Sequence, residues 1–306
     1  MSPMSEPALH LPNRTRRSES IPRRLVAERK YHLLPVYALL TTSDLAREGI
    51  RNSGSFRFAD HIYRNEPSGR YGVGRVLDRV LLKLRGARSM RSRFFHSCIE
   101  IRGGIRNVVE ARLAGGAAGG ARVPDPPCSG PASIDPIVVI SVPCGIARDL
   151  FEVAEMLHTT EPELYEQVDF IGIDLDPEAL DLSRTLTQDH PCFEFRCADA
   201  FGAESLLKGA DVVVSLGFGE FLSDHQLLDF YRRCCASLND GGRFITSAMS
   251  RDRVSDYLAR ELAELHTNYR STERLTELLR SAGFTKIRTG RDKVGLQTLA
   301  VAEKEL

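Results

Sequence analysis

Residues 136–150 read PIVVISVPCGIARDL. The run from Ile137 to Val142 is apolar, rich in β-branched residues and too short for a buried helix, which predicts a central strand of a parallel sheet. Pro143 and Gly145 end that strand. From Ala147 the sequence ARDLFEVAEMLH carries apolar residues at Leu150, Phe151, Val153, Ala154 and Leu157, the spacing of an amphipathic helix. Strand, small-residue turn and helix start come one directly after another. Such a turn lets a ligand approach backbone amides at the carboxyl end of the strand. By itself the turn is a weak signal, because a dinucleotide fingerprint wants glycines where this chain has Pro143, Gly145 and Ala147.

The strands downstream, at the right distances, give the turn its weight. Phe170 to Ile173 is a second apolar strand ending in Asp174, and Asp176 with Pro177 then starts a helix through Leu180, Leu182 and Leu186. An acid at the tip of the second strand can accept hydrogen bonds from both hydroxyls of a ribose. A third strand, Cys192 to Cys197, leads into Asp199, Ala200 and Phe201, where a carboxylate can accept from an exocyclic adenine amine while Ala200 and Phe201 pack on the ring. A fourth strand, Asp211 to Leu216, runs into Gly217, Phe218, Gly219 and Glu220. A helix (Asp224 to Leu238), a turn of Asn239, Asp240, Gly241 and Gly242, and a fifth strand (Arg243 to Ser247) come next. The chain closes with a helix (Thr272 to Ser281), a sixth strand (Thr285 to Thr289), a hairpin turn and a last strand (Leu296 to Glu303).

This order of turn, ribose acid, adenine acid and Asn-Asp-Gly-Gly resembles a class I S-adenosylmethionine (SAM)-dependent methyltransferase over residues 136–306. Together with FADHIYRNEPSGRYGVGRVLDR upstream, it is similar to a family of bacterial methyltransferases, some fused to α/β-hydrolase domains. The resemblance implies an α/β fold, a Rossmann-like seven-stranded sheet with an antiparallel last strand, preceded by an N-terminal helical segment. It implies SAM as cofactor, held by Val142, Pro143, Cys144 and Gly145 of the turn, by Asp174 with Leu175, by Asp199 with Ala200, and by Ser215, Leu216 and Gly217. It also raises association with a hydrolase. The chain departs from the family pattern where Ser141 replaces the strand-end acid, Pro143 the first glycine and Ala147 the third; Asp149 is the candidate to reach the methionine ammonium instead. The Ser-Leu-Gly-Phe end of the fourth strand differs from the Asn-Pro-Pro-Tyr loop of enzymes that methylate base or amide nitrogens, and counts against that chemistry.

Zero net charge over 306 residues hides an asymmetry. Residues 1–110 hold 21 Lys and Arg against 10 Asp and Glu, leaving 20 against 31 in the remainder, so a basic N-terminal part precedes an acidic domain. Seven cysteines without zinc spacing read as reduced core thiols, which suits a reducing cytoplasm and predicts no metal. No signal peptide or membrane span is evident, so a cytoplasmic protein is expected.

Four segments are expected: a disordered tail (1–20), a helical N-terminal region on the substrate side (21–113), a Gly/Ala/Pro-rich linker (114–135) and the SAM-binding domain (136–306). Without aromatic interleaving, the tail's arginines read as a solvated charge run rather than a nucleic-acid site. Ile21 to Leu45 suggests a helix kinked at Pro35. Val73, Val76, Leu77, Val80, Leu81 and Leu84 form one apolar stripe, with Arg75, Arg79 and Lys83 on another face. Tyr63, Arg64, Tyr71 and Arg75 are the candidates to meet the acceptor. Arg85, Arg88, Arg91 and Arg93 form a second basic run leading into Phe94, Phe95 and His96, and residues 98–113 suggest a further helix.

Methyl transfer needs alignment and exclusion of water more than special residues, which leaves the acceptor unread: a small molecule or lipid-like compound, anionic if the arginines clamp it. For an acceptor that must lose a proton, Glu220 is the first candidate base and His225 the second, with Asp224 expected to cap its helix and Ser223 as the alternative cap. Two other readings fit the same residues: a non-catalytic nucleoside-binding protein, or an aminopropyltransferase-like enzyme, which the basic N-terminal half disfavours.

Overall fold

The computed structural model describes residues 14–118, 135–202 and 208–305. In chain order the elements are α1 (Arg14–Ala27), α2 (Leu33–Leu40), α3 (Asp44–Arg51), α4 (Phe56–Arg64), α5 (Val73–Leu82), α6 (Arg85–Ala118), β1 (Ile137–Ser141), α7 (Arg148–Thr160), α8 (Pro162–Tyr165), β2 (Val168–Asp174), α9 (Pro177–Leu186), β3 (Phe193–Cys197), β4 (Ala210–Ser215), a short 3-10 turn (Gly219–Phe221), α10 (Asp224–Ser237), β5 (Leu238–Met249), α11 (Arg253–Ala263), α12 (Thr272–Ser281), β6 (Phe284–Arg291) and β7 (Gln297–Lys304). They group into two compact units: Met1–Ala87 with Arg253–His266, and Arg88–Asp252 with Thr267–Leu306. Residues 88–113, expected with the helical region, therefore group with the sheet, while 253–266, expected with the sheet, group with the helices.

The larger unit is a seven-stranded sheet in the order β3-β2-β1-β4-β5-β7-β6. The strands from β3 to β5 are parallel, and β7 runs antiparallel to both β5 and β6. Side chains alternate between its two faces. Ile137 and Val139 of β1, with Val212 and Val214 of β4, join Ile101 and Ile105 of α6 and Leu150, Val153 and Leu157 of α7 in one core. Ile140, Val142 and Val213 join Leu227, Phe230 and Tyr231 of α10 and Leu275, Leu278 and Leu279 of α12 in the other. Each fully buried aliphatic side chain here contributes about 1.5 to 3 kcal/mol. α6 lies tight on the sheet because Gly104 has no side chain: a Cβ there would stand 2.9 Å from Val212. β1 pairs with β2 on one side and, through Val139, Ile140 and Ser141, with β4 on the other, so the strand order reverses at β1, and open α/β sheets bind ligands at the carboxyl ends beside such a reversal.

Three local readings change. Residues 85–118 form one helix rather than two segments followed by a linker at 114, and of the expected linker 119–134 lie outside the described residues. Helix α1 begins at Arg14, so part of the expected tail is helical, while 1–13 lie outside the described residues. Strand β5 begins at Leu238, which pairs with Ala210; the register shift between Ala210 and Val212 absorbs the Asn-Asp-Gly-Gly segment expected as a turn.

In the smaller unit, Ile21, Leu25, Leu33, Ile50 and Leu262 form the core. Where the sequence suggested one kinked helix there are three. Pro35 falls in the first turn of α2, where its missing N–H is not needed, and Ser43 starts α3 by accepting from Ala46 N–H at 2.9 Å. On α5 the buried face is not the apolar stripe. Gly74, Asp78 and Leu82 are buried and Val73, Val76 and Val80 are exposed. The cause is a close approach: a Cβ on Gly74 would stand 2.1 Å from the Thr42 carbonyl oxygen. Beside it the Asp78 carboxylate accepts from Ser43 Oγ, from Ser68 N–H at 3.0 Å and from Leu45 N–H at 3.3 Å. That polar hub selects the face that volume-based patterning misses.

Candidate functional site

The turn after β1 is laced to both neighbouring strands. Val142 N–H donates to Val214 O at 2.9 Å and Cys144 N–H to Ile173 O at 2.9 Å. Gly145 N–H donates to Asp174 Oδ2 at 2.8 Å. The Val142–Pro143 peptide is cis, Gly145 has φ +54° and Ala147 has φ +37°. Ala147 thus holds the left-handed conformation that a glycine adopts more easily, and the turn keeps its course without the third glycine. Gly172 of β2 makes room for the turn, since a Cβ there would meet Cys144 Sγ at 3.1 Å. Burial raises the Cys144 thiol well above its ordinary value, so it packs as a neutral group.

Asp174 closes the tip of β2 over this turn. Its Oδ1 accepts from Asp176 N–H at 2.9 Å while Oδ2 holds Gly145. Burial raises its pKa, and the two N–H bonds oppose the rise. One backbone bond per oxygen leaves lone pairs for further donors. Ala198 N–H donates to Asp174 O at 3.0 Å, which carries the end of β3 and Asp199 to the same edge. Asp199 Oδ1 accepts from Phe201 N–H at 2.9 Å. Leu175 is 59 % exposed beside the acid, whereas Ala200 is buried. The Phe201 ring lies tilted against Phe218 and Phe230. These bonds tie Gly145, Asp174 and the segment leading into Asp199 to the carboxyl edge of the sheet.

A second cluster forms at the end of β4. Ser215 is buried, and Gly217, with φ +74°, donates its N–H to Ser247 Oγ at 3.2 Å. Arg93 of α6, buried, covers Gly217 and pairs with Glu220 at 3.3 Å. Burial raises the Glu220 carboxyl, while Arg93, the Gln297 amide and Arg270 pull it down. Asp149, in the first turn of α7, is buried as well; that burial pushes its carboxyl up to about 6, opposed by Leu150 N–H, by its own N–H and by the Arg93 charge. One guanidinium thus acts on two buried carboxylates. Arg270, from the loop before α12, donates to Gly219 O and Leu222 O, each at 2.5 Å, and fixes the backbone around Glu220.

His225 is exposed in the first turn of α10. Ser223, not Asp224, caps that helix, accepting from Gln226 N–H in a capping box. Asp224 instead pairs with Arg270 at 2.8 Å and Arg274 at 2.7 Å. Tyr63, Arg64, Tyr71 and Arg75 belong to the smaller unit: Tyr63 is half-buried on α4, Arg64 pairs with Glu66, and Tyr71 and Arg75 are exposed. Sequence reading missed Arg270 and Gln297 altogether and took Arg93 only as one of a basic run. A Ser-x-x-Gln pattern at 223–226 was the available signal for the cap; no local pattern announces an arginine whose partners lie about 50 or more positions away.

A model described as a methyltransferase domain matches residues 135–290, just over half of the chain. The chain belongs to that family. SAM is the cofactor of this methyltransferase, and the residues suit it: two carboxylates with lone pairs to spare and an exposed leucine at one edge offer the acceptors and the apolar contact a nucleoside needs. No curated protein matches the methyltransferase. Among solved structures it is similar to a possible exported protein from Bordetella parapertussis, 20 % identical, with 96 % of each chain covered and a TM-score of 0.71. It is also similar to apo SibL, an S-adenosylmethionine-dependent methyltransferase, 14 % identical, with 92 % of this chain and 78 % of that one covered and a TM-score of 0.51. At these identities both speak for the fold alone. Among the described residues no group of three or more His, Cys, Asp and Glu side chains is arranged to hold a metal ion, and no helix is long and apolar enough to cross a membrane.

Proposed function

We propose that this methyltransferase moves a methyl group from SAM to a small-molecule or lipid-like acceptor at the carboxyl edge of β1, β2 and β4. The observation that carries the reading is the bond from Gly145 N–H to Asp174 Oδ2, which sets the turn after β1 against the acid at the tip of β2. In this reading Asp174 receives the ribose hydroxyls, Leu175 and Ala200 flank the adenine, and Asp199 receives its amine. Val142, Pro143, Cys144 and Gly145 line the turn, Asp149 faces the methionine ammonium, and Ser215, Leu216 and Gly217 border the methyl end.

When bound, the cofactor supplies a methyl carbon on a positively charged sulfur, a leaving group that needs no acid. The chain's own work is alignment and exclusion of water. Gly217 lets backbone come close to that end without a side chain, and Arg93 covers it. Glu220 is the base for an acceptor that must lose a proton. Burial raises its pKa and strengthens it as a base, while the Arg93 charge opposes that rise. Calorimetry with SAM and with its demethylated product is the test. Micromolar binding of both is expected, and no detectable binding at millimolar ligand would remove the reading.

A further inference from the structure

Ten of the fifteen large apolar side chains that stand exposed among the described residues belong to the smaller, helical unit, about a third of the chain. Apolar exposure is therefore concentrated there, and its densest stretch is α5. Val73, Val76, Val80 and, just past the helix, Leu84 are 57, 57, 52 and 49 % exposed. At 100° per residue these four share one arc of the helix, with Leu77 and Leu81 at its margin. Arg75, Arg79 and Lys83, all exposed, occupy the adjoining arc. Gly74, Asp78 and Leu82 take the remaining, buried arc. The one acid between residues 73 and 84 is Asp78, and it is spent on Ser43, Leu45 and Ser68. Arg75, Arg79 and Lys83 make no ion pair among the described residues.

We propose that this face of α5 rests on an anionic lipid bilayer. The aliphatic arc enters the boundary between headgroups and acyl chains, and the three cations meet lipid phosphates beside it. Tyr71, 87 % exposed at the helix start, has the ring-plus-hydroxyl character that suits the same depth. Ten residues make a helix of about 15 Å, which lies on a bilayer and does not span it. Charge decides against a second copy. Two such faces brought together by a two-fold axis would set cations against cations, with no acid on either exposed arc to receive them.

The test is sedimentation of the full chain with phosphatidylcholine vesicles, with and without phosphatidylglycerol. Binding is expected only to the anionic vesicles and is expected to weaken with salt. Replacing all three cations (Arg75→Gln, Arg79→Gln, Lys83→Gln) should weaken it about a hundredfold, the equivalent of about 1 kcal/mol per cation. Val76→Asp with Val80→Asp should abolish it, with circular dichroism and binding of demethylated SAM unchanged, since both side chains are exposed. Failure to sediment with anionic vesicles would overturn the proposal. So would binding that survives these replacements but is lost on replacing Arg14, Arg16 and Arg17, or a concentration-dependent dimer that Val76→Asp dissociates.

Discussion

Arg93 occupies the space that a side chain at Gly217 would need: a Cβ on that glycine would stand 3.0 Å from Arg93 Nη1. The same guanidinium reaches Glu220 at 3.3 Å. Arg93→Met should therefore strand a buried carboxylate, costing about 3 kcal/mol at pH 8. The raised Glu220 pKa sets the sign of the pH dependence. A carboxyl raised on folding contributes stability that is whole below its ordinary value of 4.5 and is lost as pH rises through the folded value. The deficit of the variant should shrink toward pH 5, measured by urea unfolding at both pH values. An equal deficit at both would make Arg93 a packing residue only.

Asp174 holds two backbone N–H groups and is the proposed ribose acceptor, so its loss acts twice. Asp174→Ala should weaken binding of demethylated SAM by about 1 to 3 kcal/mol. Asp174→Asn, which keeps one carbonyl oxygen, should lose less. Calorimetry compares the three proteins, and unchanged binding in the alanine variant would remove Asp174 from the site.

Asp149 offers a pH signature. Its carboxyl, held up at about 6 by burial, is largely neutral at pH 5 and ionised at pH 7. If it faces the methionine ammonium, affinity for demethylated SAM should rise as pH climbs through 6, and Asp149→Asn should flatten that rise. For stability the sign is opposite. The contribution of Asp149 is whole below its ordinary value of 3.8 and is lost as pH rises through about 6, so Asp149→Asn should unfold later than the parent at pH 8.

In the helical unit, Gly74→Ala drives a Cβ into the Thr42 carbonyl, where backbone rather than a flexible side chain must yield. A loss of about 3 kcal/mol is expected. Asp78→Ala should cost a similar amount by stranding Ser43, Leu45 and Ser68 donors. Hydrogen exchange of the α3 and α5 amides reads both variants, and protection equal to the parent's would count against the hub.

The sheet was legible because strands β1, β2 and β4 are short β-branched runs ended by Pro, Gly or Asp, and α12 was legible to the residue because Ser271 caps it and Gly283 comes just after it. Element type is set by such local chemistry. The face that a helix buries is not: the aliphatic residues of α5 drew the eye, yet a glycine contact and a satisfied aspartate fixed its orientation. The cluster around Glu220 escaped for a related reason. Arg93, Arg270 and Gln297 come from three distant stretches, and only the folded sheet brings them to one carboxylate.

The helical unit is assembled from two stretches far apart in sequence. α11 delivers Leu262 to the core of Ile21, Leu25, Leu33 and Ile50, and Glu261 to Lys30 at 2.7 Å. A fragment ending at residue 87 would carry five helices around a hole, and grafting the connection between β5 and α12 from another protein would empty that hole in the intact chain. Chimaeras that exchange the helical unit must therefore move residues 253–266 together with the amino-terminal helices, as one inherited piece.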